Sequence, residues 1–153
     1  MAQDPKALAP AWMVALFIGI GVLIAALGLG VIRSDPASMH APRWVVVCTG
    51  GLFAVAGLLM AEQRAPQSLT ARLLIAVFLS QFAAVFGWVG LGRGPRQFSS
   101  SVSFGGLTTH GAGNEMLGRV LFGGFGILVG VIALVTWLAL GRAVLARTGV
   151  MRT

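Results

Sequence analysis

A chain of 153 residues that is 57% hydrophobic and only 10% charged, with mean hydropathy +0.90, lies outside the range of soluble domains, where about a quarter of residues are charged. Its net charge of +7 points to anionic lipid headgroups as a surface partner rather than to nucleic acid. Cys48 is the only cysteine, so no intrachain disulfide forms and the compartment stays open; its plain reading is a small buried hydrophobe.

From Ala7 to Ile32 the chain has no charged residue, and Pro10 marks where a helix starts, giving a first span over about 11–32. A cleaved signal peptide is the competing reading. The apolar run exceeds the roughly 7–15 residues of a signal core, and Asp4 weakens a basic leader, so an uncleaved anchor is expected. Asp35-Pro36 and Ala41-Pro42 then form a tight connector to a second span over about 44–61. The link from Glu62 to Arg72 is equally short and leads to a third span over about 73–92. Each stretch approaches the roughly 20 residues that, at about 1.5 Å per residue, cross about 30 Å of hydrocarbon.

Residues 93–118 make the one long loop. Phe98, Val102 and Phe104 alternate with Ser99, Ser101 and Ser103, the pattern of a strand with one covered face, and Gly105-Gly106 is suited to turning it back toward Leu107 as a short β-hairpin. An irregular Ser/Gly linker is the alternative. Asn114 is expected to cap the fourth helix, with Glu115 and Arg119 paired on its first turn, ahead of a span over about 119–141. The fold class expected is therefore all-α integral membrane, a single domain over 1–153 built as an antiparallel four-transmembrane-helix bundle with short connectors.

Each span carries one tryptophan near an end. Trp has an apolar ring and an N–H that wants a wet partner, so Trp12 with Trp137 are expected at one membrane surface and Trp44 with Trp88 at the other. Six basic residues (Lys6, Arg64, Arg72, Arg142, Arg147, Arg152) fall on the side of the termini and five (Arg33, Arg43, Arg93, Arg96, Arg119) on the other. That bias favours both termini in the cytoplasm, in a plasma or bacterial inner membrane. Arg142, Arg147 and Arg152 are expected to lie against its anionic face.

Small residues recur at helical spacing in every span: Gly21, Ala25 and Gly28; Gly50, Ala54, Gly57 and Ala61; Ala76, Ser80, Ala83, Gly87 and Gly90; Gly123, Gly126, Gly130 and Ala133. Lipid offers little hydrophobic drive between helices, so such files let backbones approach and gain dispersion contact. Glycine is about twice its usual ~7% share here, so composition alone supplies part of the pattern. Gly50-Gly51 before Gly57 has the spacing of Gly123-Gly124 before Gly130, a weak hint of duplicated hairpins.

Little in the chain carries chemistry. No Asp, Glu, Lys, Arg or His falls in the interior of the spans, which disfavours an ion-coupled transporter. Gln81 is the strongest mid-span polar group and is expected to hydrogen-bond a neighbouring helix. His40, His110 and Glu115 form a weak candidate metal set, and both histidines lie outside the spans where haem ligands would be needed. No cofactor, paired thiol or nucleophile with its base is evident, and an enzyme is not the expected reading. The expectation is a small accessory or structural subunit that packs against other membrane subunits and presents Phe98, Phe104 and Leu107; the alternatives are a small channel or transporter and, behind it, a membrane enzyme or cofactor protein.

Overall fold

The computed structural model describes residues 9–33, 41–64, 68–92, 103–104, 107–108 and 113–147. Four helices dominate: α1 Ala11–Gly28, α2 Arg43–Ala61, α3 Leu69–Leu91 and α4 Gly113–Arg147. All four are long and apolar enough to cross a membrane, which marks the chain as a membrane protein. β1 (Ser103–Phe104) and β2 (Leu107–Thr108) pair antiparallel, two residues each. The rest of the 93–112 segment, including Phe98, lies outside the described residues.

Proline and serine start the helices. Pro10 and Pro42 are the N-caps of α1 and α2, where a fixed φ and a missing N–H cost the helix nothing. Ser68 caps α3 chemically, its Oγ accepting from the Ala71 N–H at 2.9 Å while donating to Glu62 Oε2 at 3.4 Å. A single 3₁₀ turn, Glu62–Arg64, continues α2 into that connector. Gln63 Oε1 accepts from the Ala9 N–H at 3.1 Å, tying the start of α1 to the end of α2.

Two ends differ from the sequence reading. α1 stops at Gly28, because Leu29 is the C-cap and Gly30 takes φ +76°. The Gly30 N–H bonds to the Leu27 carbonyl and the Val31 N–H to the Ala26 carbonyl, closing a Schellman cap. Leu29 to Ile32 are apolar but not helical. In contrast, α4 has 35 residues, about 52 Å of helix, and runs beyond 119–141 at both ends. It begins at Gly113, so Asn114 stands inside its first turn and is not the cap.

Contacts between helices follow chain order. Along α1 and α2, Ile18 meets Gly57, Gly21 meets Ala54, Ala25 meets Gly50 and Gly28 meets Val47, so each step up one helix is matched by a step down the other. Along α3 and α4, Gly90 meets Gly123, Gly87 meets Gly126 and Ala83 meets Gly130. α2 and α3 meet through Trp44 with Trp88 and Gly51 with Gln81. The extensive contacts are thus α1 with α2, α2 with α3 and α3 with α4; α1 and α4 do not pack extensively together. Only Val45, Val55, Ala71, Ala76, Val129, Ala133 and Leu140 form the buried hydrophobic core among the described residues.

Candidate interhelical surfaces

The glycine files do their work where a Cβ would have no room. A Cβ on Gly21 would run into the Ala54 backbone, and one on Gly50 would stand 2.6 Å from the Gly21 carbonyl oxygen and against the Ala25 backbone. At Gly28 it would lie 2.8 Å from Val47 N, and at Gly57 2.7 Å from Ile18 Cγ1. Ala25 and Ala54 supply the facing backbone. These are approaches that only hydrogen at the α-carbon permits.

The α3–α4 file is less even. A Cβ on Gly90 would strike the Gly123 α-carbon, whereas one on Gly123 would sit at an ordinary 3.5 Å. A Cβ on Gly126 would lie 2.7 Å from Gly87 N, but Gly87's own Cβ direction is open, with nothing within 4 Å. Gly87 therefore contributes backbone and not a missing side chain, so the two glycines of this contact are not alike. Gly130 meets the Ala83 Cβ at 3.7 Å, and Ala76 is fully buried.

A polar link between α3 and α4 runs through Ser80. Ser80 Oγ donates back to the Ala76 carbonyl at 2.8 Å and accepts from Trp137 Nε1 at 2.9 Å. Gln81 lies against Gly51 of α2, where a Cβ would stand 2.7 Å from its carboxamide, and its Oε1 is buried without a hydrogen-bond partner. Thr49 and Thr136 bond to their own helix, to the carbonyls of Val45 and Ile132.

That bond also relocates a tryptophan. Ser80 is the central residue of α3, and Trp137 reaches it from α4, so the indole N–H is satisfied by protein near mid-span rather than by headgroup water. Trp44 and Trp88 meet edge to face with ring centroids 6.3 Å apart at the other end, and Trp12 is largely exposed at the start of α1. Arg142 is exposed on α4, which continues as helix through Arg147; Arg152 lies outside the described residues. A basic residue in a last helical turn also suits the negative end of the helix dipole.

A feature absent from the sequence reading is a phenylalanine file across all four helices. Phe17 and Phe53 lie 6.0 Å apart on α1 and α2; Phe78, Phe82 and Phe86 climb α3; and Phe86 packs on Phe122 and Phe125 of α4. Phe78, Phe82 and Phe86 recur at four-residue steps, the signal that places them on one helix face. Between Phe53 and Phe82 opens an apolar crevice of about 240 Å³, lined also by Phe17, Leu52, Ala56 and Phe78.

Among the described residues no group of three or more His, Cys, Asp or Glu stands close enough to hold a metal. His40 and His110 lie outside those residues, as does the side chain of Glu115. No family model matches the chain, and neither the curated proteins nor the solved structures contain a match to it.

Proposed function

We propose that this chain is a small integral-membrane accessory or structural subunit that packs against other membrane proteins and presents the 93–119 loop. One observation carries the reading: α4 packs extensively on α3 alone and leaves most of its apolar circumference exposed, including Leu121, Leu128, Leu134 and Leu138. Only 11–22% of each span's apolar window is buried within the chain. Gly90, near the end of α3, meets Gly123, so residues 113–121 carry α4 about 13 Å past that end as a stalk for the loop. In this proposal the helices form an antiparallel bundle with both termini cytoplasmic and the loop outside. The basic end of α4 faces anionic headgroups.

Photo-crosslinking in native membranes tests it. A photoreactive residue at Leu128 or Leu134 is expected to yield a discrete protein adduct, and the same residue at Ile75 serves to compare α3. Lipid adducts alone, with a monomer in mild detergent, would remove the subunit reading. A small channel or transporter is the second reading, favoured by the unpartnered Gln81 Oε1 near mid-span. Solute flux through liposomes holding the pure chain, lost in Gln81→Leu, would establish it instead.

A further inference from the structure

Between α1, α2 and α3 the helices leave a space that the chain does not fill. The six residues around this crevice, Phe17, Leu52, Phe53, Ala56, Phe78 and Phe82, are all apolar, and each stands at least five residues, about 8 Å, inside the ends of its helix. In a chain whose helices are long and apolar enough to cross a membrane, that depth lies within the hydrocarbon. Water does not settle there, because an apolar void offers it no hydrogen bonds. Leaving the space empty forfeits dispersion contact for every atom that lines it.

The crevice does not close on itself. Phe53 leans on Phe17 at 6.0 Å, while Phe82 stacks on Phe86 at 4.4 Å and meets Phe125 of α4 edge to face at 6.1 Å, so its walls are rings held by other rings. Ala56 contributes only a methyl group, and Phe53 is exposed, so the space opens to the outside of the bundle. Its size selects the occupant. A cavity of about 150 Å³ takes a benzene-sized guest, so about 240 Å³ has room for a short length of hydrocarbon chain. One turn of helix, about 10 Å across and about 5.4 Å tall, displaces about 420 Å³ and does not fit. A headgroup would find no polar partner among the lining residues.

We infer that the crevice is a lipid site that takes the distal part of an acyl chain, entering past Phe53 and lying against the rings of Phe17, Phe78 and Phe82. The bound chain touches α1, α2 and α3 at once and supplies the dispersion contact that the helices leave unmade. None of the lining residues belongs to α4, whose exposed face carries the subunit reading, so the two stand or fall separately.

Photolabelling of the full chain in phosphatidylcholine liposomes tests it. One sample contains a trace of phospholipid with a diazirine near the methyl end of one acyl chain, and a parallel sample has the diazirine near the carboxyl end. Val131 and Leu134, near the middle of α4, set the comparison, because they are 55% and 59% exposed whereas Phe53 is 37% exposed and the other lining residues are half-buried. Lipid contact that merely follows exposure labels the α4 residues more. The site predicts the reverse: methyl-end label is expected to be several-fold higher on Phe53, Phe78 and Phe82 than on Val131 and Leu134, and carboxyl-end label is expected to show no such excess. Ala56→Leu, which fills the space, is expected to remove the excess. Methyl-end label that follows exposure in the parent chain overturns the proposal, as does an equal excess from both labels or an excess that survives in folded Ala56→Leu. The parent measurements decide the matter even if Ala56→Leu does not fold.

Discussion

At the level of single residues, the direction of each missing Cβ separates glycines that sequence spacing treats as equals. Gly126→Leu drives a side chain into the Gly87 backbone and is expected to cost about 1–3 kcal/mol, as overpacking does. Gly87→Leu enters open space and is expected to leave thermal stability in detergent nearly unchanged. Equal losses in the two variants would mean that the α3–α4 register is different. Trp137 offers a second test, because an indole bonded to Ser80 sits deeper than one in a headgroup belt. In single-tryptophan variants, lipids brominated near the chain ends are expected to quench Trp137 most, and those brominated near the headgroup to quench Trp12 most. Trp137→Phe should cost about 0.6 kcal/mol, the average found for hydrogen bonds between membrane helices, and at most about 1.7 kcal/mol. The sequence placed Trp137 in a belt because it lies near the end of an uncharged run. Its depth depends on which α3 residue it faces, a property of register that no single helix encodes.

The ends of the elements show where hydropathy and helicity part. An uncharged run reports what lipid tolerates, whereas a helix ends where its carbonyls find other donors. At α1 those donors are the Gly30 and Val31 N–H groups, so the helix stops four residues before its apolar run does. Gly30→Ala forces a Cβ into the left-handed region and is expected to cost about 1–2 kcal/mol, seen as a lower melting midpoint. Gly19→Ala, in open space within α1, is expected to be neutral or slightly stabilising. At α4 the converse holds. Glu115, Arg119 and Arg142 interrupt hydropathy but are good helix residues, so α4 continues through them for 35 residues. The four apolar helices themselves were legible because length and composition decide them. The Phe78–Phe82–Phe86 file was also readable at its four-residue step, but its continuation onto Phe122, Phe125 and Phe53 was not, since that depends on which helices are neighbours.

For the whole molecule, the proposed antiparallel bundle with short connectors leaves one global choice, the side on which the termini lie. Local packing cannot make that choice, because every interhelical contact is the same in either orientation. In the proposed topology the basic residues make it, since Lys and Arg near span ends resist transfer across the membrane, and by sequence they divide six to five in favour of the side carrying Lys6, Arg64 and Arg72. A margin of one makes the orientation sensitive to single changes. With Cys48 replaced, single cysteines at Ser68 and Thr148 are expected to resist an impermeant maleimide applied outside, and one at Ser101 to react. Labelling at Ser68 and Thr148 with Ser101 protected would invert the orientation, and opposite behaviour of Ser68 and Thr148 would refute four crossings. Arg142→Gln with Arg147→Gln removes two of the six positive charges and leaves the five opposite them in place, so the bias reverses. In that double variant a fraction of the chains is expected to insert with Ser68 labelled, whereas Arg33→Gln, which strengthens the bias, is expected to abolish any such fraction. If neither variant moves the labelling pattern, the orientation is set by something other than charge, and the loop from 93 to 118, the one long segment that must end on a single side, becomes its determinant.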